Sequence, residues 1–259
     1  MDRHSARSAI DTRHGVILYL EEISVSFAGF RALNKLSLAI DTGELRCLIG
    51  PNGAGKTTLM DVVTGKTKPD SGRAYLGQSI NLLSMGEAAI ANVGIGRKFQ
   101  KPTVFAELSV KENLSLALAG NRGPWRALRY QESPDSRVKL EALAEQIALE
   151  TRLDEYAGGL SHGQKQWLEL GMLLAQDPTL LLIDEPVAGM TDAEVEKTGE
   201  LLRALVPERT VVVVEHDMNF IRSISERVTV LHEGSVLTEG LISEVQSDAR
   251  VREVYLGEC

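Results

Sequence analysis

Short apolar segments alternate with polar and turn-forming residues along this chain, and the type of alternation differs between regions. Between Gly15 and Ile40, apolar and polar positions alternate around the turn signal Ala28-Gly29, which predicts antiparallel strands. Three later runs, Leu45 to Ile49, Leu180 to Ile183 and Val211 to Val214, are apolar throughout, as in strands buried on both faces. Helical patterns between these runs predict a parallel sheet.

Helical periodicity and turn residues divide the rest of the chain. One helix is predicted from Lys56 to Val63, with Gly65 ending it, and another from about Ala193 to Leu205. Residues 101–175 have a mainly helical pattern, interrupted by a Gly-, Pro- and Arg-rich stretch at 121–135 that predicts a surface loop. Hairpin turns are predicted at Asp70-Ser71-Gly72 and at Glu233-Gly234.

These patterns predict one domain over residues 16–259. Residues 16–100 and 176–259 form its core, and residues 101–175 form an inserted helical subdomain. Residues 1–15 are polar and lack the apolar segment of a secretion signal, so we expect a disordered leader there.

Composition narrows the class of protein. No apolar run approaches the roughly 20 residues that a membrane-spanning helix needs. The net charge of −8 argues against non-specific binding to nucleic acid, which depends on Lys and Arg. The only two cysteines, Cys47 and Cys259, are far apart in the chain, which argues against a disulfide framework and favours a reducing compartment.

A phosphate-binding loop follows the apolar run that ends at Ile49. The segment fits G-x-x-x-x-G-K-[ST] at every fixed position, and a predicted strand before it and helix after it support the match. Its residues are Gly50, Pro51, Asn52, Gly53, Ala54, Gly55, Lys56 and Thr57. Glycines let backbone N–H groups approach phosphate oxygens, and Lys56 would reach the β- and γ-phosphates. Thr57 would bind Mg²⁺, and Thr58 would donate to the α-phosphate.

Two acids follow a second apolar run. Asp184 and Glu185 stand at the carboxyl end of a predicted parallel strand, where Asp184 can bind the hydration shell of Mg²⁺. Glu185 can then orient and polarise the attacking water, because phosphoryl transfer needs mainly positioning and charge stabilisation. Acids after a buried strand are weak evidence of a catalytic site when taken alone. They support one here because a phosphate loop needs a partner that binds Mg²⁺ and positions water.

A second candidate phosphate contact precedes the helical run that contains Trp167 and Leu170. The sequence Leu160-Ser161-His162-Gly163-Gln164 contains Ser161 and Gln164 at the spacing of a helix capping box. Taken alone, this segment is best explained as an ordinary helix start.

The order of the motifs resembles the ABC ATPase family over roughly Tyr19 to Gly257. The shared order is the phosphate loop, Gln100, Leu-Ser-x-Gly-Gln, the strand with Asp-Glu, and His216. The resemblance implies an α/β fold: a P-loop NTPase ABC ATPase cassette with a RecA-like, mainly parallel sheet core, an antiparallel β subdomain and an inserted α-helical subdomain. It also implies an enzyme that binds and hydrolyses Mg-ATP at the cytoplasmic face of a membrane.

The resemblance assigns roles to single residues. Two nucleotide domains sandwich two ATP molecules head to tail, and Ser161, His162, Gly163 and Gln164 contact the nucleotide bound by the other domain. Phe27 matches the aromatic residue that stacks on adenine, and the alternative is that it belongs to the ordinary core. Gln100 matches a contact to Mg²⁺ and water that links ATP to the helical subdomain. His216 matches a contact to the γ-phosphate.

Two residues depart from the family pattern. In the signature Leu-Ser-x-Gly-Gln, His162 stands at the third position, which is usually glycine. Thr191 stands where the loop after Pro186 usually ends in aspartate. Thr191 puts the usual contact of that loop across the dimer in doubt and suggests slower hydrolysis or altered coupling. Glu185 and His216 are both present, so we expect an active ATPase rather than a non-hydrolysing switch.

The amino-acid sequences of several short segments resemble those of one subfamily. Ser-His-Gly-Gln, the stretch from Gly96 to Phe105 and the ending Tyr255-Leu256-Gly257 resemble ATPase subunits of importers for branched-chain amino acids and for urea or short amides, and most of all urea. The alternatives are a branched-chain amino acid importer, a lipopolysaccharide-export ATPase and a soluble ABC ATPase acting on nucleic acid or ribosomes.

The same resemblance implies the partners. They are a second ABC ATPase subunit, two transmembrane permeases and, indirectly, a solute-binding protein, with no nucleic acid. The ATPase pair is expected to be a heterodimer in the transporter, and a homodimer is possible in isolation. The permease is expected to dock near Gln100 to Phe105, where Val104 and Phe105 are apolar, unless these two side chains serve local packing.

Overall fold

The computed structural model describes residues 10, 12, 15–98, 103–119, 134–225 and 227–256. The chain divides into two units. The first comprises the described residues of Met1–Arg97, Thr179–Glu185 and Leu202–Cys259, and the second those of Lys98–Pro178 and Pro186–Leu201. The helical unit therefore contains 186–201 in addition to most of the predicted insertion. The predicted leader, 1–15, falls almost wholly outside the described residues.

An antiparallel sheet of four strands opens the first unit. Strands β1 (Val16–Phe27) and β2 (Phe30–Asp41) pair along their length, and β4 (Ser71–Leu76) and β5 (Ile80–Asn81) complete the order β2-β1-β4-β5. The turn between β1 and β2 is Ala28-Gly29, with φ values of 47° and 89°. These left-handed values suit a tight hairpin between twisted strands, and the sequence-based prediction of this hairpin is confirmed.

A second sheet carries the chemistry of this unit. Its six strands are β3 (Leu45–Ile49), β6 (Ile95–Lys98), β7 (Leu180–Asp184), β8 (Thr210–Val214), β9 (Arg227–His232) and β10 (Ser235–Leu241). Their order is β10-β9-β3-β8-β7-β6. Strand β3 pairs in parallel with β8 and β9, and β7 pairs in parallel with β8, whereas β9 and β10 are antiparallel. The three central strands are buried throughout, which explains their uninterrupted apolar sequences.

Helix α1 (Lys56–Val63) lies in the shared core of the two sheets. Its buried residues Leu59, Met60, Val62 and Val63 pack in one cluster with Leu18 and Leu38 of the antiparallel sheet and Leu48 and Leu182 of the other. Helices α2 (Glu87–Asn92), α7 (Met218–Ile224), α8 (Ile242–Ser247) and α9 (Ala249–Leu256) complete the first unit. Because α1 directly follows the phosphate loop, its burial fixes the position of that loop.

The second unit is built mainly from helices. They are α3 (Val110–Ala119), α4 (Pro134–Gln146), α5 (His162–Leu174) and most of α6 (Asp192–Ala204). Gly171 of α5 allows close packing, since a Cβ there would lie 2.6 Å from Ile147 Cδ1 and 3.0 Å from Leu114 Cδ2. The buried amide of Asn113 fixes the segment before α3 by accepting the N–H of Phe105 and donating to the carbonyls of Phe105 and Ser109.

One local prediction needs correction. Asp70-Ser71-Gly72 does not form a hairpin turn. Ser71 begins β4 and pairs with Ser24 of β1, and a Cβ on Gly72 would meet the backbone of β1 at 2.7 Å. Glycine is needed there for close strand approach rather than for chain reversal. The predicted loop at 121–135 lies outside the described residues except for its last two, which already belong to α4.

Among the described residues, the helices are all too short or too polar to cross a membrane. Cys47 is a free, buried thiol in β3, and Cys259 lies outside the described residues. The predicted hairpin at Glu233-Gly234 is confirmed, because these residues join the antiparallel pair β9 and β10.

Candidate functional site

The phosphate loop joins β3 to α1 and depends on three glycines with positive φ. Gly50, Gly53 and Gly55 have φ values of 150°, 81° and 100°. A Cβ on Gly50 would overlap the carbonyl of Leu231, and one on Gly55 would lie 2.7 Å from both the carbonyl oxygen of Ala32 and Leu33 Cδ2. The loop is therefore held against β2 and β9 in a conformation that only glycine accommodates.

Among the described residues, no side chain makes a capping hydrogen bond to the start of α1. Gly55 is the N-cap, and the first turn of the helix contains no acid. An uncapped N-terminus with its positive dipole end is suited to an anion. The Lys56 ammonium folds over the loop and donates to the carbonyls of Gly50 and Pro51 at 2.6 and 2.9 Å. It is thus already placed above the loop.

Asp184 ends β7 and is almost fully buried. Its Oδ2 lies 3.7 Å from Nη2 of Arg97, whose side chain is 5% exposed. The same guanidinium donates through Nη1 to Asp61 Oδ1 on α1. A buried cation therefore links the strand that carries Asp184 to the helix that follows the phosphate loop. Arg97 and Asp61 were not predicted as site residues, because their contact joins positions that are distant in sequence.

Glu185 immediately follows Asp184 and has an unusual backbone. Its φ is 45°, a left-handed conformation that non-glycine residues rarely adopt and that clusters at functional sites. Its N–H donates to the carbonyl of Val214 at 2.9 Å, which ties this turn to the end of β8. The side chain is one-third exposed, and its Oε1 lies 3.8 Å from His216 Nδ1.

His216 follows β8 and is held by a buried acid. The side chain of Glu215 is 1% exposed, and its Oε2 accepts the N–H groups of His216 and Asp217 at 2.8 and 3.2 Å. The imidazole itself is exposed, with Nδ1 3.6 Å from the same Glu215 oxygen. Glu215 has the same strand-then-acid pattern as Glu185, and that signal could have identified it as a site residue.

The topology brings these groups together. The phosphate loop, Glu185 and His216 follow β3, β7 and β8, which are neighbours in one sheet and run in parallel. Carboxyl ends of parallel strands lie at one edge of a sheet, where α/β proteins bind their ligands. The described residues contain no cluster of three or more His, Cys, Asp or Glu fit for a metal ion. Mg²⁺ bound through substrate phosphates needs only one or two protein oxygens, so Thr57 and Asp184 suffice.

Two further predicted nucleotide contacts have different outcomes. Phe27 ends β1 and is 50% exposed, so it is not part of the core, and Phe30 across the turn is exposed as well. An exposed aromatic side chain is available for stacking on a base. Gln100 lies outside the described residues.

The signature segment lies in the helical unit and forms the start of α5. Ser161 is the N-cap, its hydroxyl accepts the N–H of Gln164, and the Gln164 side chain accepts the N–H of Ser161. The predicted capping box is therefore present, and it does not exclude a role in nucleotide contact. His162 Nε2 lies 3.3 Å from Nε2 of Gln166, which links the signature to a buried polar group.

The buried Gln166 side chain belongs to a polar network that holds α5 in place. The amide oxygen of Gln166 accepts a hydrogen bond from Lys98, whose ammonium also lies 3.5 Å from Glu169 Oε2. Glu169 Oε1 in turn accepts from the hydroxyl of Thr103 at 3.0 Å. Lys98 and Thr103 flank the segment that contains Gln100, so this network joins the signature helix to both ends of that segment.

Comparison with known proteins identifies the fold and the chemistry. The family model described as ABC transporter matches residues 33–188, more than half of the chain. This chain belongs to the ABC transporter family. The predicted ABC ATPase cassette, with its antiparallel sheet and its mainly parallel sheet, is confirmed, and the protein is an ATPase.

Relatives extend the match over nearly the whole chain. The high-affinity branched-chain amino acid transport ATP-binding protein LivG of Salmonella typhimurium is 32% identical over 252 residues, covering 94% of this chain and 98% of that protein. Among solved structures, the ADP conformation of the ATP-binding cassette MJ1267 has a TM-score of 0.80 and 31% identity, covering 93% and 99% of the two chains. The relative MJ1267 thus binds nucleotide, as ABC ATPases do.

Dimer formation is also seen among related ABC cassettes. A dimeric structure of the cassette MJ0796, bound to ADP and Pi after hydrolysis, has a TM-score of 0.72 and 27% identity, covering 87% of this chain and 99% of that one. ABC ATPases act together with permease subunits and dimerise. The predicted urea specificity finds no support in these relatives.

Proposed function

We propose that this chain is the ATPase subunit of an importer, and that its catalytic centre is the edge at which β3, β7 and β8 end. The observation that carries the proposal is the convergence there of the phosphate loop, Asp184, Glu185 and His216, with Glu185 held at φ 45° beside His216. The backbone N–H groups of the loop and the start of α1 bind the phosphates. Phosphoryl transfer then needs only a positioned nucleophile and charge stabilisation.

Each side chain has one task in this proposal. Lys56 exchanges its loop carbonyls for β- and γ-phosphate oxygens. Glu185 accepts a hydrogen bond from the attacking water and orients it toward the γ-phosphorus, which yields ADP and inorganic phosphate. His216 donates to the γ-phosphate, with its backbone fixed by Glu215.

Mg²⁺ would be held by Thr57, Asp184 and Gln100, and it would offset negative charge on the phosphates. The buried guanidinium of Arg97 supports this assignment, because it lies 3.7 Å from Asp184 Oδ2 and helps to hold that carboxylate in its charged form. Phe27 stacks on adenine, for which its exposure leaves it available. Thr58 donates to the α-phosphate.

Hydrolysis in this proposal requires a second ATPase subunit. Ser161, Gly163 and the neighbouring signature residues His162 and Gln164 contact the nucleotide bound by that subunit. The dimeric form of the related cassette MJ0796 supports such an arrangement. ATP binding closes the pair and hydrolysis reopens it, which shifts the conformation of the attached permeases. The motor works peripherally, at the cytoplasmic face of the membrane.

The permease is proposed to dock at the segment before α3. The Phe105 side chain is 53% exposed although its backbone is fixed by the buried Asn113 amide. A rigid backbone that presents an exposed aromatic side chain is typical of an interface anchor. Local core packing, the other explanation for Phe105, does not account for this exposure.

Branched-chain amino acids are the solutes that the relatives favour. The similarity to LivG extends over 94% of this chain and supports the same transporter group. Urea or short amides remain a second candidate, which rests only on the wording of the segment from Gly96 to Phe105 and of the signature. Neither solute touches this subunit, so the permease and binding protein decide between them.

The test is uptake of labelled leucine and labelled urea by membranes that contain this chain with the permeases encoded beside it. Leucine uptake that requires ATP and disappears with Glu185→Gln would support the proposal. Urea uptake under the same conditions would keep the motor and change the solute. Export of a lipid, or association with ribosomes or DNA without uptake, would contradict the importer proposal.

A further inference from the structure

The signature helix carries an anion of its own. Glu194 of α6 points its carboxylate at the N-terminus of α5, where Oε1 accepts the hydroxyl hydrogen of Ser161 at 2.6 Å. The carboxylate also lies directly over Gly163, because a Cβ on that glycine would come within 2.6 Å of both Cδ and Oε1 of Glu194. The space above the signature glycine is thus filled by a carboxylate.

The other oxygen of Glu194 is fixed as firmly. Oε2 accepts the backbone N–H and the hydroxyl of Thr191, both at 3.0 Å. Hydrogen bonds from the Ser161 hydroxyl and the Thr191 backbone lower the pKa of Glu194, and the Gly163 backbone contributes in the same direction. The group is therefore held in its charged form by donors from two helix starts.

Thr191 gains a physical role from this contact. The sequence analysis identified it as a departure from the usual aspartate. A threonine hydroxyl can donate to the Glu194 carboxylate, whereas an aspartate at the same place would put a second negative charge beside it. The departure thus favours the Glu194 contact.

We propose that Glu194 is a positioning residue that occupies the phosphate-contacting face of the signature as an internal anion. It holds Ser161 and covers Gly163 until the γ-phosphate bound by the opposite ATPase subunit displaces it. This inference rests on the proposed function, in which Ser161 and Gly163 contact that phosphate. A carboxylate and a phosphate cannot share these donors without repulsion, so Glu194 raises the ATP concentration needed to close the dimer.

The first experiment measures ATP-driven association by light scattering in the Glu185→Gln chain, which is expected to bind ATP without turning it over. Adding Glu194→Gln should lower the ATP concentration for half-maximal association by about threefold to tenfold, since one negative charge beside the phosphate is removed. Glu196→Gln makes the same charge change two residues away on α6, at an exposed position, and should leave the midpoint unchanged. An unchanged or raised midpoint with Glu194→Gln would overturn the proposal.

The second experiment needs no nucleotide. Ser161→Ala, Glu194→Gln and the double variant are compared in urea-induced unfolding. If the two side chains interact as the structure shows, the effects of the single changes will be less than additive in the double variant. Additive effects would contradict the contact itself, whatever the cassette does with ATP.

Ser161→Ala separates the two levels of the argument. If Ser161→Ala weakens ATP-driven association while Glu194→Gln leaves it unchanged, the signature contacts nucleotide as proposed and the role of Glu194 is wrong. If neither change alters the midpoint, both the sandwich and the role of Glu194 fail. Thr191→Val removes the hydroxyl donor without adding a charge, so it should shift the midpoint in the same direction as Glu194→Gln, by a smaller factor.

Discussion

Two helix starts in this protein are proposed to contact phosphate, and they are built differently. Helix α1 begins after a glycine in left-handed conformation, and no described side chain caps it. Helix α5 begins with a complete capping box, and a carboxylate from α6 lies on its first turn. Both have the partial positive charge of an N-terminus, but only α5 already has an anion beside it.

The difference assigns the two ends different duties. The open end of α1, with Lys56 beside it, would bind an anion without first displacing another one. The closed end of α5 can accept an external phosphate only if the Glu194 carboxylate leaves. The net gain in binding free energy at this end is therefore small. The first end is suited to holding nucleotide in one subunit, and the second to responding only when nucleotide and a second subunit are both present.

Lys56→Ala tests the open end and should have the largest effect. It removes a charged donor of two or more hydrogen bonds to phosphate, each worth about 1.5–3 kcal/mol, so ATP affinity should fall about a thousandfold. Binding of a fluorescent ATP analogue measures this. Lys66→Ala is the matched control, because Lys66 is exposed and pairs only weakly with Asp61 at 3.6 Å. A loss below tenfold would mean that the backbone alone holds the phosphates.

Glu169→Ala tests the buried polar network that holds α5 in place. It removes the carboxylate that lies 3.5 Å from the Lys98 ammonium in a buried network, so we expect a loss of about 3 kcal/mol in unfolding free energy. Chemical denaturation of the purified chain gives the value. Glu145→Ala, on α4 of the same unit, should change stability by less than about 0.5 kcal/mol. Equal losses at both positions would show that the network does not stabilise α5.

Three glycine substitutions compare the two ends directly. Gly55→Ala forces a side chain into φ 100° and into backbone at 2.7 Å, and should cost about 2–4 kcal/mol of stability. Gly53→Ala, at φ 81° with nothing within 4 Å, should cost about 1 kcal/mol. On Gly163 the nearest atoms that a Cβ would meet belong to the Glu194 side chain rather than to backbone, so Gly163→Ala should cost less than about 1 kcal/mol. Thermal unfolding of the three variants checks the order, and a Gly163→Ala loss as large as that of Gly55→Ala would contradict it.

The smallest effect concerns pH. Hydrogen bonds lower the pKa of Glu194 below its usual 4.5, so its contribution to stability is complete above that pH and is lost as pH falls through the folded-state pKa. The stability difference between the parent chain and Glu194→Gln should therefore shrink on acidification from pH 7 to about 3. Asp248 also has a lowered pKa, of about 2, but it is present in both proteins and cancels in the difference. A constant difference across this range would rule out the linkage.

Local sequence sufficed for much of the fold. Helix α1 has the predicted bounds, and the hairpins at Ala28-Gly29 and Glu233-Gly234 lie where the turn residues indicated. The phosphate loop and the acids after β7 were found because their chemistry depends on neighbours in sequence. Asp70-Ser71-Gly72 was misassigned because a glycine needed for strand approach has the same local signal as a glycine in a turn.

Long-range contacts were not predictable in this way. Arg97 bridges Asp61 and Asp184, and Glu194 reaches Ser161 across 33 positions of the chain. Each of these residues has an ordinary local pattern, and only folding brings the charges together. The solute was not predictable from local sequence either: similarity over the whole chain favours the branched-chain amino acid group, and urea finds no support in these relatives.

The buried thiol of Cys47 has a practical consequence for labelling. Burial raises its pKa to about 12, so at neutral pH it is almost entirely un-ionised and shielded from thiol reagents. With Cys259 replaced by serine, a cysteine placed at the exposed Glu196 would be the preferred target for a maleimide dye or spin label. Distances between two such labels in a dimer would then report, in solution and without a crystal, each opening and closing of the ATPase pair.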